Sequence, residues 1–315
     1  MSPATNMRNL FQTISMLTAM TALLAMIGFV LAGWDGLIIT ATFTFMFLVF
    51  GRSMSKTWML KGIGAMRLPV DQAPVLHKIL EELSRRAGLS RAPELYLLDA
   101  DMMLGFSTGG GENDAAIVLT GPLVQGLSAR EIAAVLAHEV SHIASGDLAV
   151  LGMADLVTRM TRTLSFVGVI LFIFNIPMAA SGGAHLPWGA LALLLMAPLM
   201  SFLIQMALSR AREFEADLGA LNISGEPEAL ARALEKLEYQ QKGLLRHMFM
   251  PHQPGTEPSL LRSHPVTAER VRRILAHGAP IQPLPDELVG EHHGYPRDWP
   301  APLGMPVRWL LRWWR

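Results

Sequence analysis

The sequence predicts an α+β protein, mainly helical, that combines about four transmembrane helices with a polar domain of mixed helices and strands. Three observations carry this. No Asp, Glu, Lys or Arg occurs from Asn9 to Trp34, from Gly36 to Gly51, or from Thr163 to Ser209. Polar sequence falls in two blocks, Arg52 to Arg162 and Arg210 to the end, and the first mixes helix-like and strand-like patterns. The 315 residues are 51% hydrophobic and only 17% charged.

Composition also excludes some chemistry. The formal net charge is zero, so no global basic field marks nucleic acid as a partner. The chain has no cysteine. Disulfides, thiolate metal sites and a catalytic thiol are therefore absent, and His, Asp and Glu are left as metal ligands. The 20 methionines show no clustered ligand spacing and read as core and lipid-facing residues.

A helix needs about 20 apolar residues to cross the hydrocarbon core. The first charge-free stretch holds one span, near Ser15 to Gly33. The second, around ITATFTFMFLVF, is a shorter one. The third is long enough for two, Leu164 to Ala179 and Trp188 to Leu208, with Pro177, Gly182, Gly183 and Pro187 marking the turn. The rival for this third stretch is a pair of buried core helices, since SFVGVILFIFNIPM is short. A signal peptide is the rival for the first, but its apolar run is long and a second run follows at once.

Basic residues set the expected orientation. Arg52, Lys56, Lys61 and Arg67 follow the second span, Arg159 and Arg162 precede the third, and Arg210 and Arg212 follow the fourth. The two loops, near Asp35 and near AASGGAHLPW, carry no Lys or Arg. Both termini and both polar blocks are thus expected in the cytoplasm. The organisation read from these patterns is an N-terminal transmembrane hairpin (1–52), a first catalytic part (53–163), a second hairpin (164–208), a second catalytic part (209–279) and a tail (280–315).

Within the first polar block, Asp71 to Gly88 has a helical apolar face, opened by a proline and closed by a glycine. PELYLLDA and AAIVLT read as strands, and FSTGGGEND as turn chemistry. LSAREIAAVLAHEVSHIASGD reads as a helix. Ser128 with Glu131 three residues on forms a capping box, and Ile132, Val135, Leu136 and Val140 supply an apolar face.

That helix carries HEVSH. His138 and His142, four apart, share a helix face and can share an ion. Glu139 projects beside that face, within reach of a water on the ion. Two ligands and a general base in HExxH spacing point to zinc-dependent peptide hydrolysis. A catalytic zinc needs a third protein ligand and an open fourth position. SRAREFEAD offers Glu213 and Asp217, four apart; spacing does not choose between them, and taken alone the segment reads first as a charged cap beside the membrane, with Arg210 and Arg212 paired to nearby acids.

HEVSH, SRAREFEAD, both hairpins and the order of elements resemble the HtpX-like integral-membrane zinc metallopeptidases, relatives of the CAAX prenyl-protein endopeptidase. The resemblance runs from the first span to about Ala276. It implies a gluzincin-like zinc metallopeptidase domain with one zinc ion, Glu213 as third ligand and Asp217 as the partner of a ligand histidine. It further implies a bacterial inner-membrane protein whose substrates are polypeptides, above all misfolded or damaged membrane proteins, under stress. Gly146-Asp147 matches the family's step after the metal helix, so Asp147 either supports the site or serves the helix end. SHPVTAER matches the late His-Pro segment and makes His264 and Arg270 candidates for the active-site rim.

LGFSTG, from Leu104 to Gly109, stands where the family usually shows N-A-F-A-T-G, with Leu104 and Gly105 replacing Asn and Ala. Either this stretch or AAIVLT is the candidate edge strand for an extended substrate. The tail has no counterpart in the resemblance. Its VRWLLRWWR suits a membrane interface, and the adjacent His292 and His293 are unsuited to a shared ion. Two rival functions are weighed. An intramembrane protease is opposed by Arg130, Glu131 and Asp147 at the ends of the metal helix. A non-catalytic membrane adaptor is opposed by the intact Glu139.

Overall fold

The structure is a computed structural model and describes residues 3–50, 56–183, 186–249, 267–279 and 281–289. The described residues divide into two compact units. One is drawn from Met1–Arg52 and Ala149–Ala211, the other from Ser53–Leu148 and Arg212–Arg315.

The first unit is helical and apolar. Among the described residues three helices are long and apolar enough to cross a membrane: Ile14–Thr44, Asp147–Ala180 and Trp188–Ser224. The first lies within α1 (Pro3–Phe50), and α1 contains both arms of the expected N-terminal hairpin. Ala32 (φ −141°, ψ 24°) and Gly33 (φ 59°, ψ −140°) break it. Gly33 takes a left-handed φ, which glycine adopts without a Cβ clash. Beyond the break the two arms touch: a Cβ on Gly36 would lie 1.9 Å from the carbonyl oxygen of Gly28. Small residues permit such backbone approach between membrane helices. Among the described residues the first of the three long apolar helices is thus broken into two arms.

In this unit α1 packs with α6 (Asp147–Ala180) and α7 (Trp188–Ser224) through Met20, Ala154, Val157 and Leu208, and with α7 through Leu23, Ile27, Leu194 and Ala197. Phe166, Ile173, Phe174, Met196 and Leu199 are exposed, as lipid-facing residues are. Asn175 closes the second hairpin by bonding both backbone groups of Leu186.

The second unit is built on a four-stranded sheet in the order β1-β2-β4-β3: β1 (Met66–Arg67), β2 (Glu94–Leu98), β4 (Ala115–Thr120) and β3 (Gly105–Gly109). β2 and β4 run parallel; the two outer pairs are antiparallel. Every residue of β4 is buried, which explains its unbroken apolar run. One sheet face packs on α3 (Pro74–Ala87) and α5 (Ala129–Ala144) through Leu95, Ile117, Leu119, Leu80, Leu83 and Leu136. The other packs on α2 (Lys56–Ile63) through Leu60, Leu98, Ala116 and Val118. The short α4 (Gly121–Gly126) leads from β4 towards α5.

Each start and stop signal has a visible cause. Pro74 opens α3, and Gly88 at φ 77° closes it, its amide and that of Leu89 bonding the last carbonyls. Ser128 caps α5: its amide donates to Glu131 Oε2 at 2.8 Å, and its hydroxyl accepts from the Glu131 amide. Lys236 of α8 (Pro227–Phe249) donates to the same carboxylate at 2.7 Å. α9 (Thr267–His277) packs beside α8, and α10 (Asp286–Val289) seats Val289 in the core of α3 and α5.

Burial raises the Glu131 carboxyl pKa, but the Lys236 and Ser128 hydrogen bonds outweigh it and hold the group below its ordinary 4.5. Its folded pKa is depressed, so its contribution is complete above the unfolded value and is lost as pH falls through the folded one. Glu131→Gln is expected to cost about 1–2 kcal/mol at neutral pH. Thermal unfolding across pH should show the gap to wild type constant above pH 4.5 and closing below it.

Candidate metal centre

α5 brings the two histidines into place. It is buried along nearly its whole length, from Glu131 to Ile143, so His138, Glu139 and His142 stand in the interior at 9%, 7% and 7% exposure. The C-terminal part of α7 contributes Glu213 and Asp217, one turn apart and both buried. Asp147 opens α6, just beyond the turn at Gly146 (φ 72°) that ends α5.

These residues form one constellation. His138 Nε2 and His142 Nε2 are 3.2 Å apart. Glu213 places its oxygens 3.6 Å from the first and 3.8 Å from the second. The other ring nitrogens face carboxylates: His142 Nδ1 lies 2.8 Å from Asp147 Oδ2, and His138 Nδ1 lies 3.1 Å from Asp217 Oδ1. Each carboxylate is in turn held by an arginine. Arg270 of α9 donates twice to Asp217, at 2.7 and 2.8 Å, and Arg212 Nη1 lies 3.0 Å from Asp147 Oδ1. Arg270 Nη1 also stands 3.0 Å from Glu213 Oε2.

The chemistry of this donor set calls for a cation. Asp147, hydrogen-bonded to His142 Nδ1, fixes the proton there and leaves that ring's lone pair on Nε2, and Asp217 stands beside the same nitrogen of His138. Two ring nitrogens and a carboxylate then converge on one point in a buried setting, which favours a positive charge between them. His138, His142 and Glu213 each offer a ligand atom within 4.8 Å of the others and could hold a metal ion. In the metal-free state a proton can take the same place. Burial lowers the His142 pKa, but the bond to Asp147 and the charges of Glu139 and Glu213 outweigh it, lifting it from 6.5 to about 9. Arg270 likewise stays charged: Asp217, Glu213 and Glu139 overcome its burial.

Every described candidate site residue lies in this cluster: His138, Glu139, His142, Asp147, Glu213, Asp217 and Arg270. His264, His292, His293 and the Trp/Arg tail lie outside the described residues. Arg270, expected at a rim, is an interior residue at 7% exposure. The available signal was its position four before Ile274 on the buried stripe of α9. Arg212 was missed, because a charged cap accounted for it and its partner Asp147 is remote in sequence. Of the two candidate edge strands, AAIVLT is interior, paired on both sides as β4, whereas FSTG belongs to the edge strand β3, packed beside α5.

The chain is similar to several known proteins. The sequence model of Peptidase family M48 matches residues 71–277. A protein named Protease HtpX homolog from Methylibium petroleiphilum is 34% identical over 287 residues, covering 86% of this chain and 98% of the relative. One of the same name from Paraburkholderia phytofirmans is 33% identical over 286 residues, covering 85% and 97%. Among solved structures, S. mikatae Ste24p matches with a TM-score of 0.52 at 20% identity, covering 85% of this chain and 66% of that one, which supports the shared fold.

Removing Arg270 should leave Glu213 and Asp217 buried without their shared cation. Arg270→Met is expected to destabilise the metal-free protein by about 3 kcal/mol. Added divalent metal should recover part of the loss, because it brings positive charge to the same carboxylate. Thermal unfolding with and without metal reads both effects.

Proposed function

The chain belongs to peptidase family M48 and is a membrane metallopeptidase; from that premise we propose that it is a zinc-dependent endopeptidase whose active site faces the cytoplasm. The observation that carries this reading is the buried convergence of His138, His142 and Glu213. Donors about 2.0–2.1 Å from a tetrahedral zinc lie about 3.3–3.4 Å from each other. The nitrogens stand 3.2 Å apart and Glu213 at 3.6 and 3.8 Å, so small movements suffice. Two imidazoles and a carboxylate, with a fourth position left for water or substrate, suit catalytic zinc. On this reading Asp217 and Asp147 fix the tautomers of His138 and His142, and Arg270 and Arg212 fix those carboxylates.

When bound, zinc polarises the scissile carbonyl and lowers the pKa of its water towards about 7. The remaining work belongs to the side chains. Glu139 is buried and lies off the shared face of the ligand histidines. Its carboxylate takes the proton of the attacking water and returns it to the leaving amide nitrogen. An extended polypeptide is positioned by pairing with the edge strand β3. Leu104 and Gly105, standing where the family usually has Asn and Ala, leave that pairing to the backbone. Misfolded or damaged membrane proteins are the substrate class, as the resemblance implies.

The multi-pass topology follows from the basic flanks of the apolar segments. The chain lacks cysteine, so single cysteines report cleanly. A cysteine at the exposed Arg85 should react with a membrane-impermeant maleimide only after inverted vesicles expose the cytoplasmic face; labelling in intact spheroplasts would reverse the orientation.

Two comparisons test the chemistry. Glu139→Gln should retain zinc and lose cleavage of an unfolded protein substrate by about 10²–10⁴-fold; equal cleavage by both proteins would remove the mechanism. Glu213→Ala should strip zinc, while Asp217→Ala should weaken zinc binding by about 10–100-fold. Metal analysis after dialysis against a chelator ranks the pair, and the opposite ranking would make Asp217 the ligand.

A further inference from the structure

Glu213 and Asp217 reach the histidines only if α7 passes α5 at the right distance. Gly219 lies inside α7, between Asp217 and Leu221. Glycine in a helix interior is about 1 kcal/mol less favourable than alanine, so its presence there calls for a local cause. Its surroundings supply one. A Cβ at this position would stand 1.9 Å from Ser141 Oγ and 3.0 Å from Ser141 Cβ. Ser141 is 3% exposed and lies on α5 between His138 and His142. The backbone of α7 thus rests against a small side chain of α5 at the level of the ligands.

We propose that Gly219 and Ser141 form a spacer that sets the separation of α7 from α5, making Gly219 a positioning residue for the metal ion. The proposal rests on His138, His142 and Glu213 being the ligands. A methyl group at 219 could turn the serine hydroxyl aside, but it would still crowd Ser141 Cβ. α7 would then shift by a few tenths of an ångström, because ordinary contact begins at 3.4 Å. Metal–donor distances tolerate only about 0.2 Å. Glu213 would then reach an ion held by the two histidines only with a strained or lengthened bond, while Asp217 would lose its alignment with His138.

The test uses the full chain, purified in detergent and stripped of metal. Cobalt(II) is titrated in, its visible absorption bands are recorded, and Kd is obtained by competition with a chelator. Gly219→Ala is expected to raise Kd by about tenfold or more and to weaken the tetrahedral cobalt bands. Ser141→Thr, which enlarges the spacer from the other helix, should act in the same direction. Adding Ser141→Gly to Gly219→Ala removes both crowded atoms and should return Kd to within about threefold of wild type. A wild-type Kd in Gly219→Ala, or a weakened Kd that Ser141→Gly does not restore, would overturn the spacer. Wild-type protein that takes up no cobalt would overturn the ligand assignment, and the spacer with it.

Discussion

Two buried imidazoles turn their Nε2 atoms towards one place, and the structure around them keeps them there. The nitrogens stand 3.2 Å apart with a carboxylate beside both. Two ring nitrogens and a carboxylate gathered this closely in the interior favour a positive charge among them, a proton on His142 or a metal ion. The surrounding charges keep this electrostatic demand from collapsing the site. Asp147 and Asp217 fix the ring orientations, and Arg212 and Arg270 neutralise those acids. Each histidine is thus backed by a carboxylate and each carboxylate by a guanidinium. Burial makes every link stronger and every unpaired member costly.

The fold serves that demand by bringing together side chains far apart in sequence. The capped, buried α5 provides the histidines and Glu139, with the turn at Gly146 carrying the chain straight into Asp147. The C-terminal part of α7 provides Glu213 and Asp217. α9 returns to supply Arg270, its apolar stripe held by Ile274. The sheet contributes an edge strand, β3, beside α5. The proposed zinc catalysis would draw on this combination: ligands set by packing, a base off the ligand face, and a backbone edge on which a peptide can lie.

Much of this was legible in the chain, for reasons that belong to particular residues. HEVSH needs only helical periodicity to place both rings on one face, and Ser128 with Glu131 announces the helix start. The charge-free stretches announce apolar segments because hydrocarbon tolerates few charges. What periodicity does not encode is distance between segments. Glu213 and Asp217 are equivalent by spacing, and family resemblance alone separated them in the sequence. Arg212 and Asp147 are ordinary charged residues until folding pairs them. Arg270 carried a faint signal, a charge on a buried stripe. AAIVLT stood in the sequence as one of two candidate edge strands; folding pairs it on both sides and buries it as β4, which its unbroken apolar run fits, and the more polar β3 is the edge.

The central claim is a zinc ion held by two imidazoles and one carboxylate. X-ray absorption at the zinc edge of the purified full chain tests it most directly. The expected result is one zinc per chain with two imidazole rings in its scattering shell and the remaining nearest donors oxygen, all at about 2.0–2.2 Å. A third imidazole in that shell, or protein that holds no zinc after purification in its presence, would contradict the account.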